Sequence, residues 1–573
     1  MKRTPRLLAM ITALLLILSA CGGTVPQAAD TTDSATASAS SAASSAASSA
    51  TPSAEAKLLA DPGPADAPFV TGPYSLTIGL AQDTNVENYE TNAYTVLLEK
   101  KSGIDIGFEY FPTKEAKQKL AILVASDSQL PDVICMPLTD MEVASYGASG
   151  TFLALNDMYE NNSYYIKKRL AEGADKMLPY VTSPDGNIYT VPKYNPEHGN
   201  EWDGRFWINQ TWLKALNLEK PKTTDELVTV LKAFRDKDPN GNGKKDEYPL
   251  IGSNNGWNQK PHRFLMNAFI YYNDPCNFLL AENGKIDVAY NKDAWRQGLE
   301  FMNTLVKEDL LSPLTFTQDV NQFKQILENP EVQLVGAMAA GSMSVYQTDS
   351  VRKQDMIHLA PLTGPDGTNL VTRRPMLFDA FGYVTKFAKD PDVAFRLLDL
   401  MWEDEISVTA RFGEKGTHWD WAGEAEKGMG LYEGMGIPAT IKIIKNVWGQ
   451  PNNAQWGDIA PAFRPYEYGV GGQTWDGKSI YDSQYMTAQA VPEYIGKSVE
   501  EPVLRILYTA EENDEIAELT NSLITYVNEQ TDAFIVGATP LSEWDNYVKE
   551  LESIGLTRYL EVTQQAYDRM NGK

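Results

Sequence analysis

From residue 73 onwards the chain switches repeatedly between two hydrophobic periods. Leu76, Ile78 and Leu80 recur at every second position, the signature of a half-buried strand. Asn92 to Lys101 reads as a helix, Gly103 breaks it, and Ile104, Ile106, Phe108 and Tyr110 alternate again. A second helical stretch covers Ala116 to Ala125, and the apolar run Leu130 to Met136 reads as a short buried strand. Strand–helix–strand–helix–strand predicts an open parallel α/β sheet. A turn at Asp185-Gly186-Asn187 and a strand over Ile188 to Pro192 come next, and a first crossing to another lobe is expected near Val191 to Pro196. Phe206 to Asn209 opens the new unit, which runs through Trp212, Leu213 and Leu216. Thr223 and Glu226 form a capping pair ahead of Leu227, Val230, Leu231 and Phe234 at helical spacing. Helices are predicted over Trp295 to Val306 and Gln322 to Leu327, and a strand over Val332 to Met338. Pro361 to Gly367 is a loop, Ala380 to Lys386 a strand, and Asp392 is expected to cap a helix from Val393 to Trp402. A βα unit this late implies a return to the first lobe, so both lobes are discontinuous. Past Gly428 the pattern fades, and Ile443 to Trp475 reads as long ordered loops. Amphipathic helices resume with Ile516, Leu519, Leu523, Ile524 and Val527, and again with Trp544, Tyr547, Val548 and Leu551.

Length and charge sharpen this outline. The 573 residues are 43% hydrophobic, more than one core can absorb, since single cores stop growing near about 250–300 residues. The net charge of −26 and the lack of a basic cluster exclude nucleic acid and anionic lipid as partners of the folded part. Lys2, Arg3 and Arg6 precede an apolar run, Leu7 to Leu18, too short to span a bilayer comfortably. It ends in Leu18-Ser19-Ala20-Cys21, which resembles the bacterial lipobox, whose cysteine is diacylated and becomes the mature N-terminus. Residues 1–20 are thus expected to be a lipoprotein signal peptide. The Ser/Ala/Thr-rich stretch that follows cannot fold and reads as a flexible stalk.

The loop Asp236 to Glu247, DKDPNGNGKKDE, presents oxygen ligands at alternate positions of a tight turn. One register uses Asp236, Asp238, Asn240, Gly241 and Glu247; another uses Asp238, Asn240, Asn242, Gly243, Asp246 and Glu247. Either makes a hard-cation site, and calcium is expected. Pro249 stops any exit helix, so this is a single structural site. Other chemistry is thin. Gly472 to Ser479 matches G-x4-G-K-S, but no apolar strand precedes it and Asp476 would repel phosphate. The four histidines are scattered and no G-x-S-x-G occurs. Cys135 and Cys276 read as small buried hydrophobes or as one disulfide.

Several stretches together resemble the large lipoprotein solute-binding proteins of ABC importers, extracellular family 1. They are the lipobox at Cys21, LPDVI at 130–134, PDGNIYTVP at 184–192, INQTWLKALNL at 208–218 and FRDKDPNGNGKKDEYPL at 234–250. GEKGTHW at 413–419, EWDNYVKELESIGL at 543–556 and QQAYDRMN at 564–571 extend the likeness to the C-terminus. The resemblance implies an α/β, two-lobe, type II binding-protein fold closing on a ligand, an oligosaccharide, for delivery to ABC permease subunits. It implies a monomer on the outer face of the cell membrane, held only by N-terminal lipid on Cys21. It also places calcium in the second register: Asp238, Asn240, Asn242, the Lys244 carbonyl, Asp246 and Glu247, with Asp236 outside. Lys415 stands where the family usually carries Glu.

The aromatic content, with 12 Trp and 28 Tyr, suits a sugar site, because pyranose C–H faces stack on rings. Trp202, Trp257, Trp419, Trp421, Trp448, Trp456 and Trp475 lie in irregular stretches and are the candidate ligand residues. Trp212, Trp295, Trp402 and Trp544 sit at helical spacing and belong to the core. Arg373 and Arg374 could clamp an acidic sugar, but such a pair reads more readily as a solvated face. The expected layout is signal peptide 1–20, stalk 21–72, N-terminal lobe 73–193 with 358–435, C-terminal lobe 194–357 with 436–540, and C-terminal helices 541–573. A secreted glycoside hydrolase or lyase remains the alternative, since hydrolysis needs only two carboxylates at a suitable separation.

Overall fold

The structure is a computed structural model that describes residues 59–572, apart from 113, 348, 375–377, 425, 427, 429–438, 449–450, 470–471 and 476–477. The expected signal peptide, Cys21 and residues 22–58 of the expected stalk lie outside the described residues. The end of that stretch is not stalk: Leu59 bridges to Val70, and Phe69 and Val70 are buried in the first core.

Two sheets, each with its own cores, organise the described part. The first has the strand order Ala462–Phe463, Val191–Tyr194, Asp379–Val384, Val133–Cys135, Ser75–Ala81, Asp105–Phe111. Its N-terminal strands pair in parallel, as helical crossovers require, and Ser75 sits opposite Asp105. Between the first and second strands runs the helix Ala93–Ser102. The Asn92 side chain accepts from the Tyr94 N–H at its start, and Gly103 at φ 80° ends it. Strand Asp379–Val384 inserts antiparallel to both its neighbours, because the chain re-enters from the other sheet. Alternation splits the apolar residues between the faces: Val133 and Cys135 join one cluster, Ile134 and Met136 the other.

The second sheet has the order Met356–Leu359, Phe206–Asn209, Val335–Ala339, Tyr248–Ile251. Its larger core takes the helices Asp293–Lys307, Ala510–Val536, Trp544–Ile554 and Leu556–Met570. Trp212 and Trp295 are buried there, and Trp402 is buried in the first core. The order of the elements makes the chain pass between the sheets three times: first between Tyr194 and Phe206, second between Leu359 and Asp379, third between Phe463 and Ser483. This is the two-lobe, discontinuous α/β architecture expected.

Several local expectations need correction. Asp390, not Asp392, caps the helix Pro391–Leu400: its carboxylate accepts from the Asp392 and Val393 N–H groups. Pro391 then occupies the first turn, where a missing N–H costs nothing. Within the segment 436–540, Trp456 and Ala460 pack in the first core and Ala462–Phe463 pairs with Lys193 and Tyr194, whereas His358 and Leu359, expected in the first lobe, pair in the second sheet. The helix Ser483–Tyr494 and the hairpin Leu279–Glu282/Lys285–Val288 were not anticipated. Asn283 and Gly284, both at positive φ, make the hairpin's turn. Cys135 and Cys276 are both free and buried, in different cores, and burial pushes each thiol up to about 12. No disulfide joins them. Among the described residues no helix is long and apolar enough to cross a membrane.

Candidate ligand site at the crossing segments

Strands Val191–Tyr194 and Asp379–Val384 lead into two of the crossings, and neighbouring residues on them face opposite ways. Lys193, paired in register with Asp379, lies 4.1 Å from the Phe381 ring centroid. On that face Asp458 gathers three cations: Arg464 at 2.7 Å, Arg411 at 3.0 Å and Lys193 at 3.9 Å. Burial works against its charge, yet Arg464, Lys193 and Arg411 together hold the Asp458 carboxyl below the usual range. Burial lowers Lys193 against the pull of Asp458, and burial raises Asp379. Arg411 reaches on to Trp448, 5.7 Å from its ring and 41% exposed. Gly457, at φ 76°, lets Asp83 approach so closely that a Cβ there would lie 2.6 Å from the carboxylate.

The other face carries Tyr194 stacked on Phe378, 4.3 Å between ring centres. These rings border a cavity of about 780 Å³, with Tyr180, Phe463 and Tyr468 as further aromatic walls. Arg169, Glu172, Lys176, Arg373 and Glu467 supply its polar groups. Rings interleaved with fixed charges suit a ligand with apolar faces and many hydroxyls. Along the same crossing segment lies a smaller cavity of about 130 Å³, lined by Glu197, Asn200, Trp257, Ser342, Ser344 and Thr487, among others.

The crossings are held together by ions. Glu201 and Asp203 are buried on the first crossing, and both receive arginines from the second. Arg373 Nε donates to Glu201 Oε1 at 2.7 Å, and Arg374 Nε lies 3.1 Å from Asp203 Oδ2. Tyr466, on the third crossing, donates to Glu201 Oε2 at 3.0 Å. Arg263 pairs with both Asp203 and Asp274, at 3.1 and 3.0 Å. The Arg373 and Arg374 side chains stay 38% and 45% exposed, as a solvated pair would, but each is anchored to a buried acid. These acidic partners lie more than 160 residues earlier in the chain, so no local pattern announces them.

The candidate tryptophans separate by burial. Trp257 is 43% exposed and lines the smaller cavity. Trp421 is half-buried, edge-on to Trp419 at 4.9 Å and 5.5 Å from Tyr468. Lys415 Nζ lies 5.8 Å from the Trp421 ring and pairs with Glu405 at 3.1 Å. Trp475 is half-buried and stacks on Tyr485 at 4.5 Å. Trp202, 5% exposed, packs in the second core, with Arg373 5.9 Å above its ring. Trp419 and Trp456 are fully buried and offer no face to a ligand. Trp456 sits edge-on to Tyr94 and Phe108 and donates to Thr95 Oγ1 at 2.8 Å, which makes it core packing.

In the acidic loop Asp238, at φ 45°, folds its carboxylate back onto the Asn242 and Gly243 N–H groups, at 3.1 and 2.9 Å. The amides of Asn240 and Asn242 donate to Asp246 at 3.0–3.1 Å. The loop's polar groups thus satisfy one another, and among the described residues no set of three His, Cys, Asp or Glu is arranged to hold a metal ion. One atom is left over: Glu247 Oε1 is buried with no hydrogen-bond partner. Burial, with Asp246 and Asp238 close by, raises the Glu247 carboxyl. An orphaned carboxylate oxygen beside two more carboxylates and two amides is a donor set that fits a hard cation.

Residues 86–406, more than half of the chain, match the family of bacterial extracellular solute-binding proteins. The chain belongs to that family. This solute-binding protein is 27% identical over 501 residues to the fructooligosaccharide ABC transporter substrate-binding protein FusA of Streptococcus pneumoniae, spanning 82% of this chain and 86% of FusA. The structure of FusA in complex with kestose matches with a TM-score of 0.68 at 24% identity, covering 87% of this chain and 99% of that one. An EF-hand mutant of FusA in complex with fructo-nystose gives 0.67 at 23%, with the same coverage. An HMO-binding, ABC-transporter-associated solute-binding protein from Bifidobacterium longum infantis gives 0.71 at 19%, again covering 87% and 99%. These structures share the two-lobe fold.

Proposed function

We propose that this solute-binding protein captures an oligosaccharide outside the cell and hands it intact to the permease subunits of an ABC importer. The observation that carries this reading is the match along 86% of FusA, a protein named for fructooligosaccharide. The aromatic-and-charged cavity of about 780 Å³ and the exposed faces of Trp257 and Trp448 are in keeping with it. The first lobe is taken to run from Leu59 to Tyr194 and to return from Asp379 to Phe463; the second runs from Phe206 to Leu359 and returns from Ser483, followed by the helices 541–573. Lobe closure about the three crossings traps the sugar. Acylation at Cys21 holds the protein, as a monomer, at the outer face of the membrane, and the stalk gives it reach. Asp238, Asn240, Asn242, the Lys244 carbonyl, Asp246 and Glu247 would hold a calcium ion that braces the loop.

Calorimetry against a panel of neutral and acidic oligosaccharides, with chromatography of the sugar after incubation, tests the proposal. Binding with the sugar recovered unchanged is expected. Release of shorter or unsaturated products would move the protein to the hydrolase or lyase class, and an inert panel would remove the sugar reading. For the anchor, Cys21→Ser should release the protein to the medium; an unmodified N-terminal thiol in the wild type would refute acylation.

A further inference from the structure

Trp257 is an exposed indole with unusually complete support. Its Nε1–H donates to Asp203 Oδ2 at 3.2 Å. Its ring lies against Gly341, where a Cβ would come within 2.7 Å of the indole. The Gly341 N–H donates to the Trp257 carbonyl at 3.1 Å, and Asn258 Nδ2 donates to the Asp203 carbonyl at 3.0 Å. Asp203 itself is fully buried and is fixed by Arg263 and by Arg374, the latter on the second crossing segment. A side chain half open to solvent normally samples several rotamers. This one has its edge tied to a carboxylate that two guanidinium groups hold in place, and its face seated on a backbone without a Cβ.

From this we infer that Asp203 and Gly341 are positioning residues that lock the Trp257 indole in the orientation in which it stacks on a sugar. Because Arg374 belongs to the second crossing, the same carboxylate couples the seating of that ring to the hinge. The inference rests on the reading of Trp257 as a stacking residue. Neither residue touches the ligand; both act through the indole. A ring already ordered loses less entropy on binding, so the support shows as affinity.

The test is a double-mutant cycle read by calorimetry, on whichever of kestose, lacto-N-tetraose and a galacturonate trimer binds the wild type best. Trp257→Phe keeps a stacking face and removes the N–H. Asp203→Asn should weaken binding about five- to tenfold in the wild type and have no further effect in the Trp257→Phe background. Gly341→Ala, at a position without positive φ, should weaken binding comparably by displacing the ring. It keeps the question decidable if Asp203→Asn folds poorly. The indole N–H resonance lost in Trp257→Phe should shift in Asp203→Asn, a change that a general loss of stability does not produce. Equal losses in both backgrounds, or unchanged affinity in Asp203→Asn and Gly341→Ala, overturn the inference. Unchanged affinity in Trp257→Ala, or no binding of any probe, instead overturns the stacking reading beneath it.

Discussion

At the crossing segments, Glu201 and Asp203 are buried against Arg373, Arg374 and Arg263, guanidinium groups that the chain itself brings in from distant positions. In the loop 236–247, Asp238, Asp246 and Glu247 crowd one turn; amides and N–H groups serve the aspartates, and one Glu247 oxygen is buried without a partner. The two regions hold similar negative charge under different rules. A carboxylate neutralised by a tertiary partner is stable only in the folded arrangement and needs nothing from outside. A carboxylate cluster made by local sequence is served here by the amides and N–H groups of its own loop, and its one unpartnered oxygen fits a cation from outside. The first is a joint between segments; the second is a local turn, proposed above to take a calcium ion.

The largest effect should come from removing the outside cation. At free calcium about a thousandfold above Kd, binding to the folded loop alone adds about 4 kcal/mol. Chelator should lower the melting temperature accordingly, and Asp246→Ala should abolish the response. Identical melts with and without chelator would erase the distinction between the regions. The crossing network should behave the other way. Asp203→Ala leaves Arg263 buried with half its compensation, at a cost of about 3 kcal/mol whether or not calcium is present. A loss that calcium restores would mean the two regions are one cooperative site.

Protons offer a finer probe. His262, beside Arg263, is buried, and burial lowers it to about 4 despite Asp532 nearby. The folded state therefore binds this proton less readily than the unfolded chain. Its contribution is complete above about pH 6.5 and is lost as pH falls towards 4, on the order of 3 kcal/mol in all. Urea unfolding at pH 7, 5.5 and 4.5 should show the decline, and His262→Gln should flatten it. A decline of the same size in that variant assigns the acid sensitivity elsewhere. The smallest effect is on binding: Trp257→Ala should cost about 1–3 kcal/mol of affinity with little change in melting temperature. A lower melting temperature with intact affinity would make Trp257 a packing residue like Trp456.

The sequence alone carried what depends on neighbours along the chain. Alternation at Leu76, Ile78 and Leu80, the stop at Gly103 and the helical spacing of Leu227 to Phe234 all rest on local periodicity, and the elements form where that periodicity is strong. The oxygen pattern of the acidic loop is equally local. What the sequence could not supply is burial inside irregular segments. Trp456 and Trp257 have much the same context of Gly, Asn and Gln, yet one fills a core and the other stays open, because different segments happen to cover them. Nor could it pair Glu201 with Arg373 or Asp203 with Arg374, or bring Lys193, Arg411 and Arg464 to Asp458. Those contacts join residues up to 265 positions apart in the chain. They exist only once two sheets have formed and the crossings lie side by side, so their energy comes from desolvated proximity, which no local pattern of residues encodes.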